Sequence, residues 1–279
     1  MIEDWAKDWA EKVAAICRKA GEAILEIYGS DDIDLSTKAD DSPLTAADMA
    51  SHEIILAGLS LLTPQIPVLS EESDHISYSR RRSWQEYWLV DPLDGTKEFI
   101  SRNGEFTVNV ALIHDGVPRL GVVYLPIKEE LYVGVQGERN FATKQVGEEK
   151  AQNIRVRALQ KRLDQNLPVT VVASRRHGSE ELEDCLDKLS RRFDRIETTN
   201  MGSSLKICRV AEGKADLYPR LAPTCEWDTA AAQAVVEAAG GELVDTRFRP
   251  LRYNRKEDLL NPNFLVIGDS DYDWRTVLT

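Results

Sequence analysis

The chain has 279 residues, 42% of them hydrophobic, and a net charge of −12. That supplies core material for one large domain or two modest ones, while the acidic surface disfavours a nucleic-acid polymer or an anionic membrane as partner. A small anionic substrate stays open, because bound divalent cations reverse the local sign.

In chain order, Trp5, Trp9, Val13, Ile16, Ala20, Ile24 and Ile27 recur at helical spacing and predict an amphipathic helix ending near Gly29. A polar connection, SDDIDLSTKADDSP, leads to a second helix, LTAADMASHEIILAGLSLL, with Asp48 in its first turn or two. Ile66 to Leu69 reads as a short strand running into SEES, and Trp88 to Val90 as the end of a buried strand in WLVDPLDGTKEF. FTVNVALIH, RLGVVYL and ELYVGV predict antiparallel neighbours in one sheet. The polar stretch from about 144 to 168 reads as a loop region between two halves. Beyond it, VTVVAS, ADLYP and FLVIG alternate with helical patterns at 180–190, 203–212 and 228–239, which predicts an α/β second half. The expected division is an α+β half, 1–150, carrying most candidate ligands, and an α/β half, 151–279, carrying Asp228, the two forming one catalytic unit.

No run approaches the roughly 18 apolar residues that span a bilayer, and MIEDWAKDWAEKV lacks a signal-like apolar core. Cys17, Cys185, Cys208 and Cys225 form no C-x-x-C pair and read as reduced thiols. The cytoplasm is the expected location, with loose attachment to the inner face of a membrane left open. The oligomeric state is not legible.

Asp91 and Asp94 flank Pro92 and Leu93. Pro92 fixes its own φ and biases Asp91 towards extended backbone, so the following turn can aim both carboxylates and the Leu93 carbonyl at one point. Oxygen-only donors suit Mg²⁺, Mn²⁺ or Ca²⁺. Gly95 permits a tight turn, and backbone amides at the start of TKEFI make a phosphate seat. Read singly, D-x-x-D is a surface turn, Glu71 and Glu72 a solvated loop end, Asp228 a helix cap and Asp48 a helix-face residue. Their joint pattern is what singles them out.

SEES, WLVDPLDGTKEF and EWDTAAAQAVVEAAGG resemble, in order, the three signature segments of the inositol monophosphatase superfamily of metal-dependent, lithium-sensitive phosphatases. The likeness runs from the first helix to about residue 268. Within the superfamily, KADDSPLTAAD, GSSLK and AEGKADLYPR are similar to segments of the 3′(2′),5′-bisphosphate nucleotidase branch. The resemblance implies a layered αβαβα sandwich with the site where the α+β and α/β halves meet, and two or three Mg²⁺ per site. Glu71, Asp91 and the Leu93 carbonyl would hold one ion, and Asp91, Asp94 and Asp228 a second. The residues alone do not choose between Glu71 and Glu72; the separation from Asp91 matches the family ligand at Glu71. Asp48, Thr96 and Glu71 are the implied catalytic set, with Thr96 orienting or deprotonating the attacking water and Asp48 accepting a hydrogen bond from its hydroxyl. Glu71, Asp94, Gly95, Thr96, Ser203 and Asp228 would contact substrate, joined by His177, Lys206 and Arg220.

Lys206 and Arg220 are the implied partners of a retained 5′-phosphate, which Arg grips as a fork and Lys as a point charge. The expected reaction removes the 3′-phosphate of 3′-phosphoadenosine 5′-phosphate (PAP), with the corresponding phosphosulfate (PAPS) as second substrate, in sulfate assimilation. The rivals are an inositol-1-monophosphatase or broad sugar-phosphate phosphatase, and a catalytically silent metal- or nucleotide-binding regulator. Arg175 and Arg176 read as solvated charge, and His52, His75 and His114 as structural or exposed.

Overall fold

The apolar stripe of the first helix, α1 (Asp4–Tyr28), buries Ala6, Ala10, Val13, Cys17, Ala20 and Ile24. The computed structural model describes residues 4–30, 35–37, 43–174 and 180–278. A short antiparallel pair, β1 (Leu35–Thr37) and β2 (Pro43–Thr45), leads into α2 (Ala46–Leu62). There Thr45 and Asp48 cap the helix reciprocally, each satisfying an otherwise orphaned amide. β3 (Val68–Ser70) lies parallel to β4 (Glu86–Asp94), with the single turn α3 (Tyr78–Arg81) between them. After α4 (Thr96–Ile100) the sheet continues antiparallel through β5 (Thr107–His114), β6 (Val117–Leu125), β7 (Glu130–Val135), β8 (Phe141–Val146) and β9 (Gln152–Asn153).

The second half opens with α5 (Leu159–Asp164), β10 (Val169–Ser174), α6 (Glu180–Arg192), β11 (Ile196–Met201) and α7 (Leu205–Ala211). It closes with β12 (Leu217–Arg220), α8 (Glu226–Ala238), β13 (Glu242–Asp245), β14 (Phe264–Ile267) and α9 (Arg275–Leu278). Its sheet runs β11-β10-β12-β14-β13, parallel across the first three strands and antiparallel at both β14 junctions.

Three cores stack these elements. Val13 and Ile24 of α1 and Ile55 and Leu59 of α2 pack on Trp88, Val90, Val110 and Val122, one face of the larger sheet. The opposite face, through Tyr87, Leu89, Val123 and Tyr132, meets Cys208 of α7, Ala231 and Val235 of α8, and Tyr218 and Val266 of the smaller sheet. Val169, Val171 and Leu265 then pack on Leu189 of α6 and on Leu159 and Trp274. The order is helices, sheet, helices, sheet, helices, the layered sandwich expected.

Four details differ from the sequence reading. Residues 144–168 are not one loop: they hold the end of β8, then β9 and α5. The two residues of β9 are exposed and pair only through backbone, so no apolar alternation marks them. The strand placed at Ile66 to Leu69 begins at Val68, because the Ile66 amide closes a turn onto Thr63. β4 continues past Val90 to Asp94. β11 is a polar edge strand with four exposed residues and gave no strand signal.

Gly121 of β6 stands opposite Gly134 of β7, and α8 rests on the flat patch they make. A Cβ at Gly134 would lie 2.3 Å from the Val235 Cα, and one at Gly121 2.1 Å from the Ala231 carbonyl oxygen. Both obstacles are backbone, so the helix itself would have to move. Gly134→Ala is therefore expected to cost about 3 kcal/mol, the upper part of the usual overpacking range, read as a lower urea midpoint at unchanged m.

Candidate active site

A carboxylate pair three residues apart on a regular strand points to opposite faces. Here the strand is not regular. Asp91 pairs with Asn109 and Asp94 with Thr107, so β4 spends three residues where β5 spends two. This is a β-bulge, one of the few places a central strand tolerates a proline, and Pro92 occupies it. Thr107 and Asn109 share a face of β5, so the bulge brings Asp91 and Asp94 to one face as well. The Leu93 side chain enters the core under α1 and α2, and its amide donates to Asp91 Oδ1 at 3.1 Å. Gly95 follows at φ 97°, a left-handed conformation natural to glycine. A Cβ there would also lie 3.2 Å from the Glu105 carbonyl oxygen.

The other acids arrive from three elements. The Glu71 amide donates to the Val90 carbonyl at 3.1 Å, which sets the end of β3 beside Asp91. Asp48, 1% exposed, takes the Thr45 amide on Oδ2 at 2.8 Å and the Thr96 hydroxyl on Oδ1 at 3.3 Å. Asp228 stands in the first turn of α8, where its Oδ2 accepts the Cys225 amide at 2.8 Å.

Burial pushes the Asp91 carboxyl well above the usual carboxylate range, and the charges of Glu71, Asp94, Asp228 and Asp48 push it further. Asp228 is also raised well, first by burial and then by Asp94. Asp94 is raised by burial but drawn back by Lys206, the Ser204 amide and Asn109. These acids thus feel one another. Their side chains do not close into a ready cage, since no three His, Cys, Asp or Glu side chains among the described residues are grouped around one point. Hydrogen bonds hold them apart: Asp228 is tied to the Cys225 amide, and Asp94 Oδ2 to the Ser204 amide and the Asn109 side chain.

Beside them opens a cavity of about 170 Å³ lined by Asp94, Gly95, Ser203, Lys206, Arg220 and Asp228, with Tyr218 and Phe264 among its walls. Lys206 is 6% exposed; its Nζ donates to the Ser203 carbonyl at 2.6 Å and lies 5.5 Å from the centre of the Tyr218 ring. Burial lowers its pKa to about 8, against the opposing pull of Asp94. Arg220 donates to the Pro223 carbonyl at 3.1 Å, and its buried Nε has no protein acceptor. Ser203 sits at φ 48°, unusual for a residue with a side chain.

Of the residues singled out from sequence, Asp94, Gly95, Ser203, Lys206, Arg220 and Asp228 meet in this cavity. Glu71 follows β3 beside the strand that carries Asp91 and Leu93, and Asp48 of α2 meets Thr96 of α4. His177, Arg175 and Arg176 lie outside the described residues. His75 is exposed, His114 pairs with Glu86 at 2.9 Å, and His52 is buried against Ser70. All four cysteines are free.

Sequence reasoning missed several neighbours. Thr107 and Asn109 touch Asp94 Oδ2 at 3.4 and 3.3 Å, and their alternation inside an apolar strand was a legible signal. Tyr218 alternates with Arg220 in LYPR. Glu105, whose Oε2 accepts the Gly202 amide at 2.7 Å, carried no signal.

The inositol monophosphatase family model matches residues 5–272. The chain is 49% identical over 257 residues to the 3′(2′),5′-bisphosphate nucleotidase CysQ of Escherichia coli strain K12, covering 92% of this chain and 98% of that protein. It is 35% identical over 267 residues to the Haemophilus influenzae protein of the same name, covering 95% of each. The crystal structure of CysQ from Bacteroides thetaiotaomicron, a bacterial member of the family, aligns with a TM-score of 0.80 at 45% identity, over 94% of this chain and 97% of that one. With a family model and a relative both matching nearly end to end, the chain belongs to the inositol monophosphatase family of metal-dependent phosphatases.

Proposed function

We propose that the protein hydrolyses the 3′-phosphate of PAP to give AMP and phosphate, and acts on PAPS as well, in sulfate assimilation. The observation carrying this reading is the pair Lys206 and Arg220 in the same cavity as Asp94 and Asp228, with a buried Arg220 N–H that has no protein acceptor. A substrate with one phosphate to lose and a second to keep uses both features. The names of the relatives support the same assignment.

The acid cluster fits hard divalent cations. Its donors are all oxygen, and its raised carboxyls mark buried negative charge that a cation would neutralise. Glu71, Asp91 and the Leu93 carbonyl would hold one Mg²⁺ and Asp91, Asp94 and Asp228 another, with two or three ions per site. Bound there, Mg²⁺ would polarise the phosphoryl oxygens and make water a nucleophile near neutral pH.

The protein's own groups do the positioning. Because the Thr96 hydroxyl donates to Asp48, its lone pairs are left to accept a hydrogen bond from the attacking water and so orient it; a proton taken from that water would be balanced by passing the Thr96 proton on to Asp48. Asp48 cannot turn away, since Thr45 holds its other oxygen. Glu71 would serve as a second acceptor for that water. The amides of Gly95 and Thr96 take phosphate oxygens, Ser203 and His177 belong to the nucleotide side, and Lys206 and Arg220 take the 5′-phosphate. The buried free thiols support a reducing, cytoplasmic setting, and no described helix is long and apolar enough to cross a membrane.

Phosphate release from PAP and from inositol 1-phosphate, measured with purified protein and Mg²⁺, tests this reading. Loss of one charge-assisted contact costs about 1.5–3 kcal/mol, so kcat/KM for PAP is expected to exceed that for the inositol ester by about 100-fold. The reverse order overturns it. Binding of Mg²⁺ and PAP without phosphate release would make the protein a silent regulator.

A further inference from the structure

The face that α2 turns to the core is polar at its start. Asp48, Ser51 and His52 are 1%, 0% and 7% exposed, and only the later turns offer Ile55 and Leu59. Positions i, i+3 and i+4 of a helix share one face, so these three side chains form a single row. Burying a hydroxyl and an imidazole inside a core is unfavourable unless each finds a partner. Each does, and the partners are not scattered.

Asp48 Oδ1 accepts from the Thr96 hydroxyl, at the start of α4. The Ser51 hydroxyl donates to the Pro92 carbonyl at 2.7 Å, inside the bulge between Asp91 and Asp94. His52 Nδ1 shares a hydrogen bond with the Ser70 hydroxyl at 2.9 Å, one residue before Glu71. One helix face therefore holds, by one contact each, the three segments that carry Glu71, Asp91 with Asp94, and Thr96.

We infer that α2 is a template for the metal site, and that Ser51 and His52 are positioning residues that set the spacing of the carboxylates before any ion arrives. The inference rests on the metal-dependent reading above. Glu71, Asp91 and Asp94 bring like charges onto neighbouring segments, and like charges close together repel. A carbonyl held in the bulge and a hydroxyl held beside Glu71 oppose their drift apart. Groups that orient ligands from behind are worth about 10- to 100-fold in metal affinity.

Calorimetric titration of the metal-free full-length chain with MnCl₂ tests this, on wild type and on Ser51→Ala, His52→Gln and His52→Asn. Asparagine places a polar atom near the position of Nδ1, whereas glutamine reaches towards that of Nε2. Ser51→Ala and His52→Gln are expected to weaken Mn²⁺ binding by about 10-fold, with His52→Asn restored to wild-type affinity. The half-saturating Mg²⁺ for turnover should rise in step. Melting in chelator establishes that each variant is folded; a purely structural role would lower the melting temperature and leave the Mn²⁺ affinity of the folded protein unchanged, which overturns the inference. An affinity as weak in His52→Asn as in His52→Gln overturns it equally. If wild type binds no Mn²⁺, the metal-dependent reading falls first, and the template with it.

Discussion

Asp91→Asn is expected to lower kcat by about 1,000-fold or more and, at the same time, to raise the melting temperature of the metal-free protein. The first effect follows from the proposed sharing of Asp91 by both ion sites, where loss of one preorganised charge contact costs on the order of 10²–10³ and loss of a shared one more. The second follows from electrostatics alone. Asp91 is buried and faces Glu71, Asp94, Asp228 and Asp48, so its ionised form is disfavoured in the folded chain. Asparagine keeps the Oδ1 that accepts the Leu93 amide and removes the repulsion. Relief of about 1 kcal/mol corresponds to about 2–4 °C for a chain of this size.

The pH dependence has a definite sign. The folded-state pKa values of Asp91 and Asp228 lie above the ordinary carboxylate value of 3.8. Stability from these groups is therefore full below that value and is lost as pH rises through the raised pKa values. In chelator, wild type should melt lower at pH 8 than at pH 5 by a margin that shrinks in Asp91→Asn. Excess Mg²⁺ should remove most of the margin in wild type. A variant that melts lower than wild type at pH 8 would show that the carboxylate is held by favourable contacts instead.

Lys206→Met should raise KM for PAP by about 30- to 100-fold, the equivalent of one lost charge-assisted contact. For inositol 1-phosphate, kcat/KM should change by less than about threefold. Methionine retains the stem over the Tyr218 ring and removes only the charge. Because burial lowers the lysine pKa to about 8, KM for PAP in wild type should climb as pH passes that value, while the variant shows a flat profile. Equal losses on both substrates would place Lys206 in the hydrolytic step and not in recognition of a second phosphate.

How much of this could be read from the chain depends on the range of the interactions concerned. The helical stripe from Trp5 to Ile27 is local, and periodicity exposes local features; the capping pair Thr45–Asp48 is local too but shows no periodicity, and went unread. Asp91 and Asp94 stand out as a pair in the sequence, but their spacing on a regular strand would send them to opposite faces. Pro92 in a central strand was the clue to the bulge, and the pairing with Asn109 and Thr107 that resolves it is long-range. Gly121 and Gly134 pair within one hairpin, but α8, which rests on them, comes much later in the chain, and that contact is what a local window of sequence cannot contain. β9 and β11 went unseen because exposed edge strands are held by backbone hydrogen bonds and leave little apolar alternation. His52 reads as an ordinary helix residue until Ser70 is placed beside it, and Glu105 until Gly202 is. The convergence of Asp228 with the first-half acids was expected only through the family resemblance.

The central claim is that Glu71, Asp91, Asp94 and Asp228, with the Leu93 carbonyl, hold hard divalent ions beside the Gly95–Thr96 turn. A crystal soaked in MnCl₂ and measured at the manganese absorption edge tests it most directly. Anomalous density is expected in two places, one bounded by Glu71, Asp91 and the Leu93 carbonyl and one bounded by Asp91, Asp94 and Asp228. Manganese bound elsewhere, with these carboxylates still turned to their present hydrogen-bond partners, would contradict the claim.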